Sequence, residues 1–205
     1  NCSGLTSITI PDSVTSIGYS AFYNCSRISN IYISSVSSWC KIDGLVNLME
    51  YGSNEKKMYL NGELLTELVI LDDVTSIASY AFSGCNELTS VTIGNGVTSI
   101  GRSAFYNCSG FTSITLPFVG ASKTAKSGYD QVFGYIFGYT TSSSSGTTYQ
   151  YGNSSTSYYY YIPESLKKVS ITDGTIGYHA FYNCSGLTSV TIGNGVTSIG
   201  YRAFY

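Results

Sequence analysis

The stretch LTSVTIGNGVTSIGRSAFYNCSG, Leu88–Gly110, decides the fold. Leu88, Val91 and Ile93 follow L-x-x-L-x-L spacing, so they point into a core while Thr89, Ser90 and Thr92 face out. Gly94-Asn95-Gly96 reads as a turn that uses the positive φ open to Gly and Asn. Val97 and Ile100 mark a second short extended segment, which Gly101 ends. Ala104, Phe105 and Cys108 then suit a helical or 3-10 turn that leads back to the next leucine.

This unit repeats. The block Ala104–Gly110 recurs nearly letter for letter at Ala21–Arg27 and Ala180–Gly186. Strand-like hexamers open at Leu5, Ile28, Leu65, Leu88, Phe111, Leu166 and Leu187, in steps of 23, 37, 23, 23, 55 and 21 residues. The base period of 23 carries insertions of 14 and 32. A unit this short cannot bury its apolar edge alone and must stack on neighbours. The expected fold is a repeat solenoid of about seven coils spanning residues 1–205 as one domain, with insertions at about 34–64 and 117–165. Phe22, Phe82, Phe105 and Phe181 are expected to form one internal file. Both chain ends fall inside a repeat, without the polar cap that closes a solenoid, so the chain reads as a piece of a longer protein.

The pattern L-T-S-V-T-I-G-N-G-V-T-S-I-G-x-x-A-F-Y-N-C-S-G resembles the BspA-like class of leucine-rich repeats, and it covers all seven units. The resemblance implies a leucine-rich-repeat superhelix of parallel strands and short helical or 3-10 turns. It also implies a bacterial cell-surface protein used for adhesion or ligand capture, without catalysis. The chain departs from the common leucine-rich consensus, since the usual asparagine place holds Ser13, Asp73, Gly96 and Gly195. An asparagine ladder is not expected.

Composition narrows the function. Charged residues are only 11% and the net charge is −2, which disfavours nucleic acid as a partner. Apolar runs are a few residues long, so this segment is not expected to insert in a membrane. His179 is the sole histidine; it sits where other units carry Ser20, Tyr80, Ser103 and Arg202, and so reads as a tolerant surface site and not as a general base. No carboxylate pair recurs at a set spacing. Neither an enzyme nor any cofactor or metal is expected. Five of the six cysteines, Cys2, Cys25, Cys85, Cys108 and Cys184, share one repeat place and read as a buried column of thiols; a disulfide framework is the alternative. Asn24-Cys25-Ser26 and its copies match a glycosylation sequon, although the repeat explains them first.

The insertions differ in kind. In the first, Ser37–Ile42 reads as a short helix that tucks Trp39 over the core, and Asn61-Gly62 closes a hairpin whose second arm merges into the Leu65 strand. In the second, Tyr129, Phe133, Tyr135, Phe137 and Tyr139 form an aromatic stretch, followed by a Ser/Thr/Tyr-rich run holding Tyr149 and Tyr151. It reads either as a recognition arm or as a lid packed on the solenoid. On the sheet face, Tyr32, Glu67, Val69, Lys167 and Lys168 break the Thr/Ser columns, with Tyr32 and Val69 expected on adjacent coils. These ten residues are the candidate ligand-binding set. The expected function is an extracellular, secreted or surface-held binding module for a host or matrix protein or glycan. The alternatives are a structural stalk and, more remotely, a glycan-active enzyme. Oligomeric state stays open, with end-to-end association of the segment as one outcome.

Overall fold

The computed structural model describes residues 2–51, 53, 55–125, 128, 130–141, 146–151 and 157–205. In chain order the first strands are β1 (Ser7–Ile10), β2 (Asn30–Ile33), β3 (Lys57–Leu60), β4 (Glu63–Leu64), β5 (Glu67–Ile70), β6 (Ser76–Ile77) and β7 (Ser90–Ile93). They are followed by β8 (Ser99–Ile100), β9 (Ser113–Leu116), β10 (Tyr139–Thr140), β11 (Thr148–Tyr151), β12 (Ser157–Tyr160), β13 (Lys168–Ile176) and β14 (Ser189–Ile199). The result is a parallel solenoid of about eight turns of roughly 23 residues. Its main wall is two sheets, ordered β1-β2-β3-β4 and β14-β13-β9-β7-β5. The second extended segment of the repeat pairs as β6 with β8.

The eighth turn comes from inside the first insertion. Strand β3 pairs in parallel with β2, Tyr32 opposite Tyr59, so the insertion adds a coil as well as interrupting the array. Asn61 and Gly62, at φ 52° and 89°, then reverse the chain into β4. The second arm stops at Leu64 and does not run into β5, because the chain turns again before Glu67. The wall splits into two sheets at this point.

Three devices set the stacking distance between coils. The first is glycine, for a reason other than turn geometry. Gly94 and Gly96 are not at positive φ; a Cβ at Gly96 would collide with the Asp72 carbonyl of the preceding coil, and one at Gly101 with the Ser79 backbone. The second is a threonine ladder in place of the asparagine one. Thr89 donates its N–H (2.7 Å) and its Oγ1 (3.0 Å) to Thr66 O, and Thr112 repeats both bonds to Thr89 O. The third is a chain of rings. Phe82 and Phe105 stack at 5.5 Å, and contacts continue through Phe111, Phe137 and Phe133 to Phe181 and Phe204. The expected file is therefore re-routed through the second insertion. Phe22 stays outside it, half-buried at the first coils and stacked on no other ring among the described residues.

The left-handed turns sit elsewhere in the repeat. The residue before Ala-Phe has φ 57° at Ser20, 62° at Tyr80, 59° at Ser103, 54° at His179 and 50° at Arg202. A second left-handed place holds Asn24, Asn107 and Asn183, and Gly84 in the one unit that reads Ser-Gly-Cys. Asn and Gly are the residues that tolerate this conformation best, which accounts for the recurring Asn-Cys pair. The thiols beside it are free. Cys85 and Cys108 are buried, and Cys108 Sγ donates to Phe82 O at 3.0 Å. Burial pushes the Cys85 thiol up to about 12, so it behaves as a packing group.

Both insertions are tied into this core. A helix α1 (Val36–Cys40), capped by the Ser35 side chain, seats Trp39 at 1% exposure. In later coils the Phe N–H donates to the next coil's Ala carbonyl, as Phe82 does to Ala104; here Trp39 Nε1 supplies that donor to Ala81 O at 2.8 Å. A second helix, α2 (Val46–Met49), buries Leu48 and Met49. In the second insertion Phe133–Phe137 forms a 3-10 helix packed on the solenoid; both phenylalanines enter the ring chain and Gly134 lies against Tyr160. Strands β10, β12 and β11 form an antiparallel sheet behind it.

Two substitutions test this packing by urea unfolding. Phe105→Ala is expected to cost about 3–5 kcal/mol, since the ring is fully buried. Gly96→Ala is expected to cost about 1–3 kcal/mol through collision with the neighbouring coil, even though its φ would suit alanine.

Candidate binding surfaces

The candidate residues fall on two separate surfaces. Tyr32, Glu67, Val69 and Lys168 lie on the main wall. Tyr32 does not neighbour Val69, because β3 lies between their coils; the Tyr32 ring stacks on Tyr59 at 4.6 Å instead. Val69 is exposed opposite Thr92, and Glu67 opposite Ser90. Glu67 and Lys168 share one column but are separated by Ser90 and Ser113, too far apart to pair. Lys167, just outside β13, donates from Nζ to the Glu164 and Gly186 carbonyls at 2.8 and 3.3 Å.

The other surface is built by the second insertion against the Ala-Phe-Tyr-Asn turns. Tyr149 contacts Tyr151 and Tyr159 at 5.0 and 5.2 Å, and Tyr151 contacts Tyr182 at 4.9 Å. Tyr139 meets Tyr158 at 4.6 Å, and the Arg102 guanidinium lies over it at 4.7 Å. Tyr135 is half-buried in the 3-10 helix, where its carbonyl accepts from Ser103 N–H; it anchors the insertion. Tyr129 lies outside the described residues.

Of two further residues of this surface, Gln150 carried no signal in the sequence and His179 was read as a surface site. Gln150 is fully buried; its Oε1 accepts from Gly134 N–H at 2.8 Å and its Nε2 donates to Tyr182 O at 3.0 Å. One amide thus pins the insertion to the coil turns. His179 is not a surface residue but is 4% exposed, because the insertion covers its turn. Tyr178, Tyr182 and Tyr151 surround the ring at 3.9, 4.8 and 5.3 Å, and among the described residues neither nitrogen has a hydrogen-bond partner. Burial, and secondarily the Arg202 charge, hold its pKa below the ordinary 6.5. Among the described residues no three His, Cys, Asp or Glu side chains converge as a metal site.

Comparison with known proteins now decides the family. The sequence profile described as the BspA type leucine rich repeat region matches in six copies, over residues 1–42, 54–157 and 153–205. The chain belongs to the BspA-type leucine-rich-repeat family. No curated protein matches it. Among solved structures it resembles a leucine-rich repeat protein from Bacteroides ovatus (19% identity, 98% of this chain and 34% of that one, TM-score 0.31). It also resembles the Treponema pallidum leucine-rich repeat protein (12%, 95% and 73%, 0.39). A third is a leucine rich cell surface protein from Faecalibacterium prausnitzii (23%, 98% and 58%, 0.31). This BspA-type chain therefore spans about a third of the Bacteroides protein and somewhat over half of the Faecalibacterium one. No helix among its described residues is long and apolar enough to cross a membrane.

The buried histidine makes stability pH-dependent. The folded state binds the His179 proton more weakly than the unfolded chain, whose imidazole has the ordinary value of 6.5. Stability is therefore complete above that pH and falls as pH drops below it, by about 1.4 kcal/mol for each unit by which the folded pKa is held down. Melting temperatures at pH 7.5 and 5.5 should differ more for the parent chain than for His179→Ser, which carries the residue found at Ser103.

Proposed function

We propose that this BspA-type segment is a non-catalytic binding module of an extracellular surface protein, which recognises a protein or glycan partner chiefly through the tyrosine surface of its second insertion. The observation that carries this reading is the half-exposed set of rings at Tyr139, Tyr149, Tyr151 and Tyr159, held on a sheet that Gln150 fixes to a rigid solenoid. Aromatic side chains offer large contact areas at low entropic cost, and more so when preorganised. The family membership and the surface description of the Faecalibacterium protein support an extracellular setting. The main wall, with Glu67, Val69, Lys167 and Lys168, is the second contact surface in this reading.

The test is capture of the 205-residue chain on immobilised matrix proteins and on a glycan array. Joint replacement Tyr149→Ala and Tyr151→Ala is expected to weaken retention at least tenfold, while Val69→Ser with Lys168→Ala weakens it less. A folded chain retained on no ligand would instead make the segment a stalk. Retention unchanged by the tyrosine pair would move the contact to the main wall.

A further inference from the structure

A groove of about 260 Å³ opens on the turn side of the solenoid, where the two insertions approach each other. The first insertion supplies Glu50, at the end of α2. The coil turns supply Tyr80, Arg102 and Tyr106, and the second insertion supplies Tyr139 and Tyr161. Ser103, Gly138 and Thr140 complete the walls.

The chemistry of this lining is specific. It contains no aliphatic side chain, so an apolar peptide residue finds no slot to fill. One carboxylate and one guanidinium face the groove, and among the described residues neither belongs to an ion pair. Their charges balance, which selects a ligand without net charge. Glu50 as an anion only accepts hydrogen bonds and Arg102 only donates them, so the complementary groups do both, as alcohol hydroxyls do. The tyrosines add apolar surface: Tyr106 and Tyr161 meet edge to face at 5.2 Å and 85° as a corner, and Tyr139 lies beneath Arg102. The negative face of such a ring suits the weakly positive C–H bonds on one side of a sugar ring. The volume lies just below the range typical of drug-sized ligands, which limits the occupant to about one ring.

Backbone strain points to the same place. Tyr80 holds φ 62°, a conformation costly for a bulky residue, at a place where Ser20 and Ser103 occupy other coils. The ring packs partly against the core and turns its remaining surface to the groove. Burial raises the Tyr106 phenol above its ordinary range, and Tyr161, Tyr80 and Glu50 add to the rise, consistent with these groups facing one another.

We infer that the groove between Glu50, Arg102 and Tyr106 is a subsite for one neutral pyranose unit of a glycan. The inference rests on the binding-module reading and gives it a ligand class and a location. Glu50 and Arg102 clamp the hydroxyl rim, and the tyrosines take the C–H face.

The test is saturation-transfer NMR on the 205-residue chain with methyl β-galactopyranoside, methyl β-glucopyranoside and methyl α-mannopyranoside, and with glucuronate and glucosamine as charged counterparts. A neutral pyranoside is expected to show transfer, at least fivefold above either charged sugar. Glu50→Gln and Arg102→Ala are each expected to reduce it at least fivefold with melting temperatures unchanged, and Tyr80→Ser to reduce it at least fivefold in a chain that still unfolds cooperatively. Glu50 and Arg102 are exposed, and Tyr80→Ser restores the residue of other coils. Preference for a charged sugar, or equal transfer in all three variants, overturns the inference. If no sugar shows transfer while matrix protein is still captured, the subsite is refuted and the binding module stands. Failure of both refutes both.

Discussion

Contact between the backbones of successive coils governs this molecule. Parallel strands must sit about 4.8 Å apart at every turn, and each repeat position is chosen by what that spacing allows. At Gly96 and Gly101 any side chain would strike the preceding coil. At Thr89 and Thr112 a side chain is allowed because its hydroxyl bonds the carbonyl it approaches. The same carbonyl takes the backbone N–H, so one acceptor uses both lone pairs on the following coil. The abundance of Gly and Thr therefore reflects stacking geometry before it reflects any outward surface.

A second consequence concerns the left-handed positions. Each coil must turn sharply before its Ala-Phe pair, and that turn is built without glycine at Ser20, Tyr80, Ser103, His179 and Arg202. The backbone is over-determined by the neighbours, so the side chain is free to vary. Where the turn stays open, as at Tyr80, the side chain faces a groove. Where the second insertion folds over it, as at His179, the side chain is sealed among tyrosines without a hydrogen-bond partner among the described residues. One structural slot thus yields a part-buried ring beside a groove or a sealed titratable group, depending on what covers it.

The period, the core positions and the Asn61-Gly62 hairpin were legible because each has a local signature: apolar spacing, recurring Phe, and a two-residue turn. Trp39 was legible as a buried helical residue for the same reason. The β3 coil was not, since Lys57–Leu60 has one buried apolar residue in the right place, Met58, and no Ala-Phe-Tyr-Asn block before it. Its pairing is fixed by the neighbouring strand β2. That hidden coil is also why Tyr32 and Val69 looked adjacent. Gln150 and the covering of His179 were illegible in principle, because both depend on where an inserted sheet lands. The aromatic stretch was legible as a segment packed on the solenoid or as a recognition arm, but not its 3-10 form, which feeds Phe133 and Phe137 into the Phe chain.

A perfect repeat has a functional handicap. If every coil presents the same Thr and Ser columns, all steps along the wall are equivalent, and a partner has no reason to prefer one register over another. Specific recognition requires that translational symmetry be broken. The insertions break it while preserving the stacking: β3 continues the parallel array, Trp39 supplies the hydrogen bond that a coil would have made, and Phe133 and Phe137 carry the ring chain forward. Because the core is left continuous, the insertions are free to present what the repeat lacks. These are tyrosines on a second sheet and a groove to which both insertions contribute. The distinctive chemistry of the chain accordingly collects where the repeat is interrupted, and the regular coils serve to hold those interruptions at a fixed distance.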